Sequence, residues 1–204
     1  MRRPDRGENL TVATAPVLAT RLLPRSRVAT ALAVVGIAAL TALLAQISFR
    51  IPPIEVPFTG STVGVLLAGG VLGSRKGAAS MILYVLAGAL GLPVFSEQSS
   101  GLDVIVGATA STGGYLIGFI VAAFVVGKLA ERRHDRQFLT GFAAFMVGSL
   151  VIYLFGVLGL MFNVGLGFWQ AVAGGVVPFV FWDIFKALAA GVVMPAAWKL
   201  TGDG

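Results

Sequence analysis

The chain contains no cysteine and only one histidine, His134, among its 204 residues. Without cysteine it has no disulfide framework, no thiol nucleophile and no thiolate ligand for a metal. His134 lies in the charged segment Glu-Arg-Arg-His-Asp-Arg, and no second ligand accompanies it at a metal-binding spacing. We therefore interpret it as a solvated loop residue, and we predict neither a metal site nor a bound cofactor.

The sequence also lacks the short motifs of common catalytic sites. It has no Gly-x-x-x-x-Gly-Lys-Ser/Thr loop for ATP, no His-Glu-x-x-His and no Gly-x-Ser-x-Gly. Asp183 is the sole carboxylate within an apolar run, which argues against a hydrolase with paired carboxylates. A transporter or binding subunit is favoured over an enzyme. The alternative from another class is an intramembrane enzyme that modifies a lipid or prenyl substrate, with Asp183 as acid and base.

Charged residues are scarce, at 12% of the chain, whereas soluble domains have about 25%. Hydrophobic residues make up 57% and the mean hydropathy is +0.91. This composition predicts an all-α integral membrane protein, and the length allows about six spans at roughly 20 residues each. The predicted spans are 28–49, 61–73, 77–92, 113–130, 138–162 and 168–198.

The last predicted span is too long for one straight helix. Gly174, Gly175 and Pro178 favour a start near these residues. The preceding residues 168–172 are then interfacial, with Trp169 as a belt residue. Proline- and glycine-rich loops are predicted at 51–60 and 93–111.

The positive charges predict the orientation in the membrane. Six spans place both termini, the 74–76 turn and the 128–137 loop on one side, which then holds all Lys and Arg except Arg50 and Lys186. By the positive-inside rule both termini are cytoplasmic, so a multi-pass plasma (inner) membrane protein is expected. The net charge of +6 is explained by this pattern and not by nucleic acid. Residues 1–27 are predicted to be a disordered basic cytoplasmic tail, with a short amphipathic piece near 17–23, and residues 28–200 the membrane domain.

Two charges interrupt the last span, Asp183 and Lys186. Residues three apart share one face of a helix. A charge inside a membrane costs about 3 kcal/mol on insertion scales, so it normally faces a partner or a wet cavity. The pair either locks two helices together or lines a substrate pocket, and we favour the pocket. A span that starts near Val176 puts Asp183 about 10 Å from its outer end.

Small residues recur at four-residue spacing, which allows close helix packing. The glycines are Gly69, Gly73 and Gly77 in one series and Gly114 and Gly118 in another. In the first span, Ala38 and Ala42 have the same spacing. We interpret the glycines as sites of internal packing. For Ala38 and Ala42 we weigh internal packing against a groove for another membrane protein.

Three stretches together resemble the BioY family, the biotin-specific S components of energy-coupling factor (ECF) vitamin transporters. They are Tyr-x-x-x-Gly-x-x-Gly-x-Pro-Val-Phe at 84–95, Thr-Gly-Gly-Tyr-Leu-Ile-Gly-Phe at 112–119 and Pro-Phe-x-x-x-Asp-x-x-Lys-Ala at 178–187. The resemblance extends from about residue 28 to 200. It implies a six-helix S-component bundle that binds biotin from outside and assembles with a transmembrane coupling subunit and a pair of ABC-type ATPases. An S component for another small vitamin is the close alternative.

The resemblance also implies roles for particular residues. Asp183 accepts a ureido N–H of biotin and Lys186 donates to the ureido carbonyl, or else Lys186 pairs with the biotin carboxylate. In the first arrangement, Gln98, Thr112 or the backbone at Gly113 holds the carboxylate. Aromatic residues cover the rings, with Trp182 the weakest candidate: Tyr84, Phe95, Tyr115 and Trp182. Ala38 and Ala42 are then the expected contacts with the coupling subunit.

Overall fold

The computed structural model describes residues 17–22, 24, 26–52, 56–107, 110–133 and 137–200. This part of the chain is mostly helical. Its α-helices are α1 (Leu18–Leu22), α2 (Arg27–Gln46), α3 (Ser61–Leu72), α4 (Ser74–Ala89), α5 (Gly113–Ala130), α6 (Phe138–Gly159), α7 (Phe168–Gly175) and α8 (Val177–Leu200). Short 3-10 turns occupy Ser96–Gln98 and Leu102–Val104, and a π-helical turn, Leu160–Val164, extends α6.

Within the described residues, three helices are long and apolar enough to cross a membrane. They are Arg27–Gln46, Gly113–Ala130 and Phe138–Val164. The pair Phe168–Gly175 and Val177–Leu188 adds a fourth if its 41° bend lies within one span. The helix α3 is apolar but only 12 residues long, about 18 Å at 1.5 Å per residue. The chain is thus a multi-pass membrane protein with several apolar spans.

The predicted first span ends earlier than expected. Helix α2 stops at Gln46, and Ser48–Phe49 (β1) pairs antiparallel with Phe58–Thr59 (β2). This two-stranded ribbon is a small β element, whereas the fold predicted from the sequence was all-α. It forms because the loop returns to lie beside the end of α2, with Phe49 stacked on Phe58.

The joint between α3 and α4 differs from the predicted turn at 74–76. Gly73 ends α3 and precedes α4, with φ +81°, a backbone conformation that glycine adopts without strain. The Glu131 carboxylate accepts hydrogen bonds from the Ser74 backbone N–H (2.9 Å) and hydroxyl (2.7 Å). This cap from the end of α5 lets α4 begin at Ser74, three residues before the predicted start at Gly77.

The Glu131 cap predicts a pH-dependent contribution to stability. Burial acts to raise the pKa of this carboxyl, but hydrogen bonds from Ser74 and the Lys128 ion pair outweigh it, so the pKa lies below its ordinary 4.5. A lowered pKa stabilises the folded chain above the ordinary value, and this stability is lost as the pH falls through the folded-state pKa. We expect Glu131→Gln to cost about 1 kcal/mol at pH 7.

This pH dependence is tested by measuring the unfolding temperatures of the purified parent chain and of Glu131→Gln between pH 7 and acidic pH. The difference between their unfolding temperatures should shrink as the pH falls. A difference that stays constant down to acidic pH would contradict the role of the ionised cap.

Helix α5 forms the centre of the bundle and packs against α3, α4 and α6. Glycines permit these contacts. A methyl group at Gly69 would meet the Ala123 carbonyl, and one at Gly114 would collide with the backbone of Phe155 and Gly159. The close approach predicted from glycine spacing therefore occurs within the chain. Helix α8 packs on α6 and α7.

The short helix α1 lies within the segment predicted as a tail, at the position of the predicted amphipathic piece. Val17, Leu18 and Ala19 are buried, and Leu18 belongs to a hydrophobic cluster with Trp198 of α8. The rest of the predicted tail up to residue 16, and His134, lie outside the described residues.

Candidate functional site

The two charges of α8 form an ion pair on one face of the helix. Lys186 Nζ lies 3.0 Å from Asp183 Oδ1. Asp183 is 4% exposed. Its other oxygen accepts a hydrogen bond of 2.7 Å from the hydroxyl of Tyr153 in α6. The carboxylate is therefore buried with both oxygens paired, as a charge in an apolar bundle requires.

The Lys186 side chain reaches from α8 to the end of β2 and the start of α3. Its Nζ donates to the Thr62 hydroxyl (2.7 Å) and the Thr59 carbonyl (2.9 Å). With the Asp183 bond, these contacts use all three donors of the ammonium group. The pair is thus bonded within one helix, and its outer contacts join α8 to α6, to α3 and to the end of β2.

A cavity of about 590 Å³, measured with its open mouth, lies beside this ion pair. Most of the wall is apolar or aromatic. The lining residues include Val56, Pro57, Thr59, Ser61, Thr62, Tyr84, Phe95, Ser96, Thr112, Tyr115, Leu116, Phe119, Ile152, Tyr153, Phe179, Asp183 and Lys186.

Packed aromatic rings form the walls of this cavity. Tyr84 meets Phe95 edge to face at 5.6 Å between centroids and lies over Phe119 at 6.5 Å. The Phe95 ring sits directly on Gly88, where a side chain would collide with it. Tyr115 donates a 2.6 Å hydrogen bond to the Gly175 carbonyl, which fixes the ring against the end of α7. The walls are thus apolar and aromatic, and among the described lining residues the charges are those of Asp183 and Lys186.

Six of the predicted site residues lie together around the cavity: Tyr84, Phe95, Thr112, Tyr115, Asp183 and Lys186. Three others do not line it. Gln98 is exposed, Trp182 is 42% exposed and stacks on Phe185, and Gly113 is buried against the Ile105 carbonyl. Gly113 has to be glycine because that carbonyl occupies the space of a side chain.

Sequence reasoning missed Tyr153, Thr59 and Thr62, which hold the ion pair from outside α8. The signal for Tyr153 was present. A tyrosine in the middle of an apolar helix needs a partner for its hydroxyl. Nothing in the sequence indicates which helix supplies that partner.

The two residues predicted to contact a partner subunit, Ala38 and Ala42, pack against this chain's own core. Ala38 is 6% exposed and packs in this chain's own core, and Ala42 is half-buried against it. Burial leaves Ala38 almost no surface for another chain. The outward face of α2 is formed instead by Val28, Leu32, Val35, Gly36, Ala39 and Leu43.

The fold and the cavity define a multi-pass membrane protein with an aromatic-walled pocket that carries an ion pair. The BioY family model matches residues 15–203, and the chain belongs to the BioY family. It is 40% identical over 180 residues to the biotin transporter BioY of Thermotoga maritima. The matched region covers 88% of this chain and 97% of that protein. The biotin transporter BioY of Rhizobium etli is also 40% identical, over 76% of this chain and 88% of its own.

A solved structure has the same fold. The S-component for biotin from an ECF-type ABC transporter superposes with a TM-score of 0.76 at 22% identity, covering 85% of this chain and 92% of that one. The family and the relatives that it resembles are transporters and not enzymes, in agreement with the expectation from the missing catalytic motifs.

Proposed function

We propose that this chain binds biotin with high affinity as the S component of an ECF-type vitamin transporter. The observation that carries the proposal is the cavity itself, in which the Asp183–Lys186 pair closes one end of an aromatic-walled pocket. Biotin has a polar ureido ring, an apolar thiophane ring and aliphatic chain, and a carboxylate, so it matches a pocket of this polarity. Relatives at 40% identity are named biotin transporters.

The hydrogen-bond counts suggest how the ureido group is held. An ionised carboxylate has about four acceptor sites, and Asp183 uses two of them on Lys186 and Tyr153. It therefore has capacity for a ureido N–H without breaking a bond. Lys186 has to release Thr59 or Thr62 before it donates to the ureido carbonyl. Tyr84 lines the cavity, and its hydroxyl makes no hydrogen bond within the described residues, so we propose it as a further hydrogen-bonding group for the ligand.

In this proposal the carboxylate of biotin lies at the start of α5. Thr112 lines the cavity at the N-terminus of α5, where the helix dipole favours an anion, whereas the Gly113 N–H already donates to the Ala110 carbonyl. Gln98 is exposed and does not line the cavity, so the proposal gives it no direct contact with biotin. Phe95, Tyr84 and Tyr115 cover the rings.

The proposed topology has six spans, with both termini on the cytoplasmic side of the plasma membrane. It is supported by the concentration of Lys and Arg at the ends of alternate helices. Because the chain has no cysteine, single cysteines at Lys199 and Ser100 can be labelled by impermeant thiol reagents in intact cells. Labelling of position 199 from outside would contradict this orientation.

A transmembrane coupling subunit and ABC-type ATPases are proposed as partners, with the outward face of α2 as the contact. Ala39 and Gly36 are the small exposed residues of this face, and they allow close approach of another helix. We expect Ala39→Leu to weaken co-purification with the coupling subunit by about 10-fold, the cost of overpacking a helix contact. Biotin binding should be unchanged, and intact co-purification would exclude this surface.

Equilibrium binding of labelled biotin to the purified chain tests the proposed function. Unlabelled thiamine and riboflavin serve as competitors. Displacement by biotin alone supports the proposal. Displacement by another vitamin would indicate a different S component, and turnover of a lipid without partner chains would indicate an enzyme.

A further inference from the structure

Three side chains at the end of α2 and just after it hold one turn of the loop that follows α4. They are Gln46, the last residue of α2, and Ser48 and Arg50 of the segment that follows it. We call them the clamp. The turn that they contact spans residues 94–99 and lies almost 50 residues further along the chain.

The clamp bonds to the turn at several points. Gln46 donates to the Phe95 carbonyl (3.1 Å) and accepts from the Gln98 backbone N–H (3.2 Å). Ser48 accepts from the Glu97 backbone N–H at 3.2 Å. Arg50 pairs with both carboxylate oxygens of Glu97, at 2.7–2.9 Å. Each member of the clamp thus fixes a different part of the turn.

The turn needs to be held because its backbone is strained. Glu97 and Gln98 have φ of 57° and 58°, the left-handed region that residues other than glycine rarely adopt. Two such residues in succession persist only where surrounding contacts enforce them. The clamp provides those contacts, since it bonds to the backbone N–H of both residues.

The same turn carries a wall of the cavity. Phe95 is 2% exposed, packs edge to face on Tyr84 and lines the cavity together with Ser96. None of the three clamp residues lines the cavity. Release of the clamp therefore allows the strained turn to relax and carry Phe95 away from the pocket, without removing any group that faces a ligand.

We propose that Gln46, Ser48 and Arg50 are positioning residues that set the rate at which ligand enters and leaves the cavity. They do so by holding the 94–99 turn against the pocket. The proposal deepens the proposed function, since it concerns passage of the substrate into the same site. Its first test nevertheless uses no ligand.

The first test measures opening by thiol labelling in the full chain, which has no native cysteine. Leu116 is 4% exposed and lines the cavity, so Leu116→Cys reacts with an impermeant maleimide when the pocket opens. Adding Gln46→Leu removes the central hydrogen bonds of the clamp at similar volume, and we expect labelling about 10-fold faster. Labelling at the parent rate, in a variant that elutes as folded protein, would overturn the proposal.

Gln170→Leu is the matched control. Gln170 is an exposed glutamine of α7 that accepts a hydrogen bond from the Gly167 backbone N–H and belongs to neither the clamp nor the turn. It should not change the labelling rate. If Gln46→Leu does not fold, the exposed ion pair provides a second route. Arg50→Glu should accelerate labelling by about 3-fold, and adding Glu97→Arg should restore it; no acceleration, or no restoration, counts against the clamp.

The second test measures association and dissociation of labelled biotin. A clamp that governs opening speeds both processes in Gln46→Leu, so the dissociation constant changes by less than the dissociation rate. A raised dissociation constant with an unchanged association rate would make Gln46 a ligand contact and overturn the positioning role. A parent chain that does not bind biotin refutes the proposed function, whereas the labelling result still decides the clamp.

Discussion

The double variant Asp183→Asn/Lys186→Met is expected to abolish high-affinity biotin binding while the chain stays folded and inserted. It removes both charges from the pocket and leaves side chains of similar size. Two charge-assisted hydrogen bonds to the ligand are worth about 1.5–3 kcal/mol each. Their loss weakens biotin binding by roughly 100-fold to 10,000-fold.

The single variants separate binding from stability. Lys186→Met leaves the buried Asp183 carboxylate with only the Tyr153 hydroxyl as partner. An uncompensated buried charge costs about 3–5 kcal/mol, so this variant should lose thermal stability as well as biotin binding. The double variant should regain the stability and not the binding, because no charge is left unpaired.

Equilibrium biotin binding and thermal unfolding of the purified proteins measure both effects. Lys199→Met is the control, because it removes an exposed charge near the end of the same helix. It should bind biotin as the parent does. Tight biotin binding by the double variant would refute the assignment of the site.

Replacing Gly114 by leucine should prevent α5 and α6 from packing. A side chain at Gly114 would collide with the Phe155 carbonyl and lie 2.7 Å from the Gly159 Cα. Both obstacles are backbone and cannot rotate away. We expect a loss of about 3 kcal/mol, the upper end for overpacked sites, and a low yield of monodisperse protein.

Gly36→Leu is the matched control for this substitution. Gly36 lies within α2, and a side chain there meets nothing within 4 Å. The isolated chain should therefore keep its unfolding temperature or gain slightly, since leucine is the better helix former. Size-exclusion profiles and unfolding temperatures compare the two variants directly. Equal behaviour would contradict the close contact at Gly114.

The helices were predictable where apolar runs end at glycines or charges. The bounds of α5 agree with the prediction at both ends, and α3 and α6 begin where expected. The start of α4 was not predictable, because its cap comes from Glu131, 57 residues further along the chain. The ribbon of β1 and β2 escaped prediction for a similar reason, since two-residue strands leave no periodicity in a sequence.

The site was predictable where a residue is costly in its setting. Asp183 and Lys186 stand out because charges are rare in apolar spans. Thr62 does not, since threonine is common in membrane helices and its bond to Lys186 crosses 124 residues. Spacing also cannot choose a helix face. Ala38 and Ala39 differ by 100° of rotation, and the contacts with neighbouring helices decide that Ala38 is the buried one.

The bonds from Lys186 to Thr59 and Thr62 have a consequence for synthesis of the protein. The two threonines leave the ribosome 124–127 residues before their lysine. At about 5–20 residues per second, that delay is roughly 6–25 seconds. During that time the earlier helices are already in the bilayer, and the Thr59 carbonyl and the Thr62 hydroxyl do not yet have Lys186 as a hydrogen-bond donor. The charged end of the pocket therefore cannot form before α8 is made, and a chain truncated before α8 carries most of the aromatic walls without that end.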